Sequence, residues 1–459
     1  MKATETQNEL IIQAILIQVV SLVMLWLTFT GLQSPSVYHN SLGLISKNWT
    51  NQNGERKLVA NPYIQVTNEN YVGWDGDHYQ QIKNYGYNLE KANGDYIYAF
   101  FPLFPLIWKI SNLQPLGVLF MNYIFFSIAI LLLLSLSERK SYIFNTVLSL
   151  SLPGVIIFLI PYTEATFMFF ISLGIYGIIN KKYWIYFIAF LLASLTRPTF
   201  TFIGLSILAV ELLFLISHKS FNTAIRNFLL RVAPLIAGTF LVPLIQGSGS
   251  LFKFIEVQKY WENAFLIPDK LSDWSQEGFG INMAVVFLIF IPLLYLLAKW
   301  FFALIRKSER FGLNYEKPQD YLALLSAIYL LGMTLYVLLF RGGSLHCLFR
   351  FTICSPFIFI LLFSAFEFIG RVPFQKRLKI VFISGFFGFS IFFLAEYSRF
   401  ISFSDLGFFI LAAVIGIWLF QDRLSSRLKK TSLITLLLVN IIWTTYLFNM
   451  YISNGWIFA

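Results

Sequence analysis

The sequence predicts an all-α polytopic membrane protein, a single domain over 1–459 with about thirteen transmembrane helices (range 11–13). Three observations carry this. The chain is 57% hydrophobic and only 12% charged, where soluble domains sit near half and a quarter. Apolar stretches long enough to cross a bilayer recur along its whole length. The charges between them are sided: with the N-terminus in the cytoplasm, 21 of the 34 Lys and Arg fall inside, while 14 of the 23 Asp and Glu fall outside. That is the positive-inside pattern. It explains the net charge of +11 without a nucleic-acid partner.

The first stretch, 10–31, is read as a retained helix, because no small-residue cleavage signature follows it. Residues 32–100 then form a first extracytoplasmic loop, longer than a connection requires, whose Trp and Tyr content suits amphipathic interfacial helices. It ends in "YAFFPLFPLIWKI" (98–110), too proline-broken for a simple span and too apolar for open solvent, hence a re-entrant or interfacial element. Spans follow at 115–136, 142–160, 164–180, 183–196 (short enough to be broken), 199–217 and 229–246. A second long outer loop, 247–280, carries "FKFIEVQKYWENAFLIPDKLSDWSQEG". The remaining spans are 281–304, 322–340, 351–370, 378–396, 406–421 and 432–451. The two cysteines, Cys347 and Cys354, lie together and are expected as free thiols.

"GWDGDHYQQIKNYGY" (73–87) concentrates the polar chemistry. Asp75-Gly76-Asp77 has the form of the metal-holding Asp-x-Asp of nucleotide-sugar enzymes. If Asp75 caps a helix running to Tyr85 and stopped by Gly86, however, Asp75, His78, Tyr79 and Ile82 share one face. Asp77 then points about 200° away, so the two carboxylates do not converge on one ion. Nucleotide sugars are also cytosolic, whereas this loop is expected outside. A solvated surface helix without chemistry is the plainer alternative.

Elsewhere, Glu164 ("PYTEATF"), Arg197 ("SLTRPTF"), His346 and Arg350 ("HCLFRF") fall at the same outer ends of helices as His78. Ionisable groups at membrane depth are costly, and are usually paired or functional. Each has a simpler reading too: Glu164 as a helix-terminal carboxylate, the arginines as snorkelling side chains. Their convergence on one face favours a site.

These residues resemble a family signature. Trp74-Asp75-x-x-His78-Tyr79-x-x-Ile82, then Gly86-Tyr87 and "YAFFPLFPL", is similar to the first motif of PIG-V-type mannosyltransferases, the second mannosyltransferase of GPI-anchor assembly and its prokaryotic relatives. "PYTEATF" (161–167), "LTRPTF" (195–200) and "HCLFRF" (346–351) resemble its later motifs in the same order. The likeness spans 74–351; "TRPTF" lacks the Asn-Gly of the eukaryotic form, and the last hundred residues add only hydrophobic helices. The resemblance implies a GT-C-like integral-membrane glycosyltransferase using a polyprenyl-phosphate sugar, dolichyl-phosphate mannose in eukaryotes, with an outer-loop acid that here matches Asp75.

On that reading Asp75 is the general base for the acceptor hydroxyl. Arg350, His346, Arg197 and His78 would bind the departing donor phosphate, arginine being suited to hold its oxygens bidentately. Trp74, Tyr79, Glu164, Gln258 and Trp261 would bind substrate. No cofactor is expected, although a divalent cation at Asp75 with a partner other than Asp77 stays open. The partners are the polyprenyl-phosphate donor, a glycolipid or glycan acceptor, and the bilayer of a prokaryotic plasma membrane or of the ER with its site lumenal. The alternatives are a lipid-linked saccharide transporter or flippase, the same scaffold with another sugar or a protein acceptor, and an inactive assembly partner.

Overall fold

A computed structural model describes residues 6–33, 47–52, 55–60, 65–92, 94–198, 200–217, 221–261, 265, 280–305, 317–340, 345–394, 405–455 and 457. It begins with α1 (Gln7–Leu32), whose N-terminus is closed by a Thr6–Glu9 capping box. A hairpin, β1 (Lys47–Gln52) with β2 (Glu55–Ala60), pairs antiparallel from Lys47↔Ala60 to Gln52↔Glu55. This departs from the all-α expectation. The sequence between the strands is Asn53-Gly54, the dipeptide preferred in two-residue hairpin turns.

The first loop carries α2 (Asp75–Tyr85) and single turns at Asn68–Tyr71, Leu89–Ala92 and Asp95–Ala99, and α3 (Leu103–Ser111) follows it. At 9 residues α3 is about 14 Å long, far short of a bilayer. It buries Leu103, Phe104 and Trp108 against the protein and leaves the apolar Leu106 and Ile110 exposed. At that length it is too short to be a simple span.

The bundle follows: α4 (Pro115–Leu133), α5 (Tyr142–Leu150), α6 (Glu164–Ile179), α7 (Tyr183–Ser194), α8 (Phe200–Ser217) and α9 (Phe221–Gln246). Next come α10 (Ile281–Val285), a π turn (Val286–Phe290) and α11 (Ile291–Ile305), which run on end to end. Then follow α12 (Pro318–Phe340), α13 (Leu348–Thr352), α14 (Pro356–Ser364), α15 (Phe366–Arg371), α16 (Phe374–Leu394), α17 (Leu406–Phe420) and α18 (Ser426–Ile452). Among the described residues, 6 helices are long and apolar enough to cross a membrane, and shorter apolar helices lie beside them. The chain is therefore a multi-pass helical membrane protein, as expected; these helices do not establish the expected count of thirteen spans.

Two expected spans are not single helices. Segment 142–160 is α-helical only to Leu150, with a single 3-10 turn at Val155–Phe158 beyond it, and 351–370 is divided among α13, α14 and α15. Proline and glycine explain both. Pro153-Gly154 follows the end of α5, with Gly154 at φ +99°, and Pro356 has no N–H to continue a helix through Ser355. Broken backbone is tolerated at membrane depth only where protein covers it, and every residue from Phe144 to Met168 is buried. Buried amides satisfy the freed carbonyls. Asn440 Nδ2 donates to Leu150 O at 2.8 Å and Leu152 O at 3.1 Å, and Asn122 Nδ2 donates to Ile160 O at 2.6 Å.

Candidate active site

Four charged side chains from four parts of the sequence form one chain of ion pairs. Arg350, in α13, donates from Nη1 to Asp75 Oδ2 at 2.6 Å and from Nε to Glu164 Oε1 at 2.5 Å. Arg197, just beyond α7, reaches the same Glu164 oxygen at 3.0 Å. The set is electrically balanced, two guanidiniums against two carboxylates. Side-chain exposure along it is 17% at Arg197, 0% at Glu164, 10% at Arg350 and 30% at Asp75. Glu164 is thus its buried centre, and Asp75, the most open end, marks its mouth. Tyr162 lies beneath Arg350, whose guanidinium carbon is 4.6 Å from the ring centroid.

The helix carrying Asp75 ends as its sequence predicts, with Gly86 at φ +65° and its N–H on Ile82 O. Its start is shifted by one residue. Trp74 takes the cap position and Asp75 is the first helical residue, so Asp75 is not the N-cap. Its carboxylate goes to Arg350 rather than to a backbone amide, while still lying at the positive end of the helix. Trp74 sits at φ +54°, ψ −124°, a conformation suited to glycine and costing about 1–3 kcal/mol elsewhere. Contacts around it hold the turn. Tyr451, near the end of α18, donates its hydroxyl to Gly73 O at 3.2 Å, and Gly76 N–H donates to the same carbonyl at 2.9 Å. Gly76 is also confined, since a Cβ there would stand 3.1 Å from Pro161 and 3.3 Å from the Tyr451 hydroxyl.

The expected separation of the two aspartates is present. Asp75 is half-buried and ion-paired, whereas Asp77 is exposed. Among the described residues no group of three or more His, Cys, Asp or Glu is placed to hold a metal ion.

His78 lies one turn along the same face, its ring 4.5 Å from Phe100 and 5.2 Å from Tyr96. Burial against these rings pulls its pKa down, outweighing the nearby Asp75 and Asp77 carboxylates. Tyr79 is buried edge-on to Phe100 and Phe104, so its ring packs inside the protein rather than presenting a face to a sugar. Its burial raises the phenol pKa. Trp74 is exposed at the mouth. His346 is half-buried in the turn before α13, four residues from Arg350.

Gln258 and Trp261 belong to the second long loop, of which 262–264 and 266–279 lie outside the described residues. Gln258 Nε2 donates to Phe254 O at 3.0 Å, and Trp261 meets Phe100 edge-on at 6.0 Å. Phe100 therefore links Trp261 to His78. The two loops are clasped further out: Asp95 accepts from the Tyr260 hydroxyl at 2.6 Å and pairs with Lys253 at 2.8 Å. These bonds hold the Asp95 carboxyl below the usual carboxylate range, the Lys253 hydrogen bond first.

Four participants escaped the sequence reading: Tyr162, Phe100, Gln246 and Tyr451. Gln246 Nε2 spans Tyr98 O and Phe100 O at 3.1 and 3.2 Å, fixing the wall that His78 packs on. Tyr162 lay inside a motif already singled out, "PYTEATF", without being picked as a site residue. Tyr451 carried no signal, lying in a helix read as plain hydrophobic. No family model, curated protein or solved structure matches this chain.

Proposed function

We propose that this chain is an integral-membrane glycosyltransferase. It moves a hexose, mannose in the first instance, from a polyprenyl-phosphate sugar to a glycolipid or glycan acceptor on the extracytoplasmic face. The observation that carries the reading is the Asp75–Arg350 pair. It joins a half-open carboxylate to an arginine that Glu164 and Tyr162 hold in place.

The chemistry asks for little more. Asp75 takes the proton of the acceptor hydroxyl as its oxygen attacks the anomeric carbon. The bond from that carbon to the phosphate oxygen breaks, and its electron pair leaves with the polyprenyl phosphate. Arg350 and Arg197 receive that charge, with His346 and His78 as further donors to the phosphate. One direct displacement inverts the anomeric centre. Trp74 and Trp261 offer rings to the sugar or lipid, and Glu164 acts by positioning both arginines.

The test is transfer by the purified protein in lipid nanodiscs. Polyprenyl-phosphate mannose is offered against other lipid-phosphate sugars and against nucleotide sugars, with and without chelator, over a glycolipid extract as acceptor. Sugar transfer with release of polyprenyl phosphate is expected. Activity with nucleotide sugars alone overturns the proposal, and movement of a lipid-linked saccharide without transfer favours the transporter.

A further inference from the structure

Resting on the reading above, we infer that Asp75 occupies the phosphate subsite on Arg350 until the donor arrives, so that donor binding itself releases the base. The geometry of Arg350 points to this. Its Nε is committed to Glu164, which is fully buried and also holds Arg197, and its guanidinium lies over Tyr162. Its Nη1, on the open side, is committed to Asp75, the most exposed carboxylate of the set. Of the two ion pairs that Arg350 makes, the one at Nη1 is therefore the more accessible to an arriving anion.

The two carboxylates differ in how easily they give way. Glu164 has no water to return to, so separating it from Arg350 would leave two buried charges uncompensated. Asp75 is partly hydrated already and sits at a helix N-terminus, where a carboxylate is favoured without its arginine. A phosphate oxygen therefore replaces Asp75 and leaves Glu164 in place.

The exchange also frees the base. Once Arg350 turns to phosphate, Asp75 no longer spends an oxygen on the guanidinium and can turn toward the acceptor hydroxyl. After transfer the proton rests on Asp75 and the charge on the leaving phosphate, which keeps Arg350 occupied. Loss of that phosphate and of the proton restores the pair. The order of events is donor first, acceptor second.

A counter-intuitive binding result follows, measurable without turnover. Polyprenyl monophosphate is titrated into purified wild-type protein, Asp75→Asn, Asp77→Asn and Glu164→Gln in nanodiscs, with thermal melting as a control for folding. Asp75→Asn removes the competitor and is expected to bind about threefold to tenfold tighter than wild type, in keeping with a partly exposed ion pair. Asp77→Asn is expected to match wild type, and Glu164→Gln to bind more weakly because Arg350 is no longer held. Equal or weaker binding by a folded Asp75→Asn protein overturns the inference and leaves the transferase reading standing. Absence of binding by wild type and all variants removes both.

Discussion

Glu164→Gln tests the ion-pair chain at its most buried point. Glu164 Oε1 is the common acceptor for Arg350 and Arg197, and the side chain has no exposed surface. Glutamine keeps the shape and one acceptor oxygen but removes the charge, leaving two guanidiniums facing only Asp75. Breaking a buried pair by removing one partner costs about 3–5 kcal/mol. Arg350 retains Asp75 here, so the lower end, about 3 kcal/mol, is the expected loss. Arg197→Gln alone removes one of two donors from Glu164, at a cost of about 1–2 kcal/mol. If the three side chains act as one network, the double variant falls short of the sum by at least about 1 kcal/mol. Reversible unfolding in mixed micelles measures all four corners of this cycle. Additive effects within about 0.5 kcal/mol, or a Glu164→Gln protein as stable as wild type, refute the argument that Glu164 anchors both arginines.

Three further outcomes follow from the same geometry. Asp75→Asn is expected to lower transfer by at least about 100-fold and Asp77→Asn by less than about twofold, both read as initial rates at saturating donor. Gly154→Ala is expected to destabilise strongly, by about 3 kcal/mol or more, because Gly154 sits at φ +99° and a Cβ there would stand 2.7 Å from Cys354 Sγ; micelle unfolding checks it. The Asp95 carboxyl is lowered by Lys253 and Tyr260, so the clasp it makes stabilises the fold above the ordinary carboxylate pKa and is lost as pH falls through the lowered folded value. Hydrogen exchange in 253–261, corrected for its own pH dependence, is expected to quicken on acidification in wild type and to be fast at neutral pH in Asp95→Asn.

Some of the site was legible in the sequence for simple physical reasons. Helical periodicity sets Asp75 beside His78 and Tyr79 and turns Asp77 away, and Gly86 marks the stop. Ionisable groups at membrane depth rarely stand alone, so Glu164, Arg197 and Arg350 could be grouped without knowing which touched which. Partners without charge gave no such signal. Tyr451 is one aromatic among many in a hydrophobic helix, and its bond to Gly73 joins positions 378 residues apart. Tyr79 and His78 both looked available to substrate. Only the packing of Phe100, Phe104 and Tyr96 separates a buried ring from a half-open one.

The two spans misread as continuous are also the two that adjoin Glu164 and Arg350. Hydropathy sees only that 142–160 and 351–370 are apolar, and it is indifferent to whether their backbone is helical. The bends matter more than the apolarity. Glu164 emerges directly from the buried irregular stretch after α5, and Arg350 follows the turn at Cys347, where φ is +61°. The two irregular segments pack on each other, with Cys354 Sγ 3.5 Å from Gly154 O, and α10 holds the second of them through Phe349 N–H donating to Asn282 Oδ1 at 2.9 Å. Unbroken helices would spend these backbone groups on their own ladders and carry the side chains along their axes. The breaks instead turn both chain segments inward at the same end of the bundle, where the cost of a buried carboxylate and a buried guanidinium is met by each other. Asn122 and Asn440, conspicuous polar residues in apolar runs, are the sequence trace of that arrangement, because a buried amide is retained where a broken helix leaves carbonyls to satisfy.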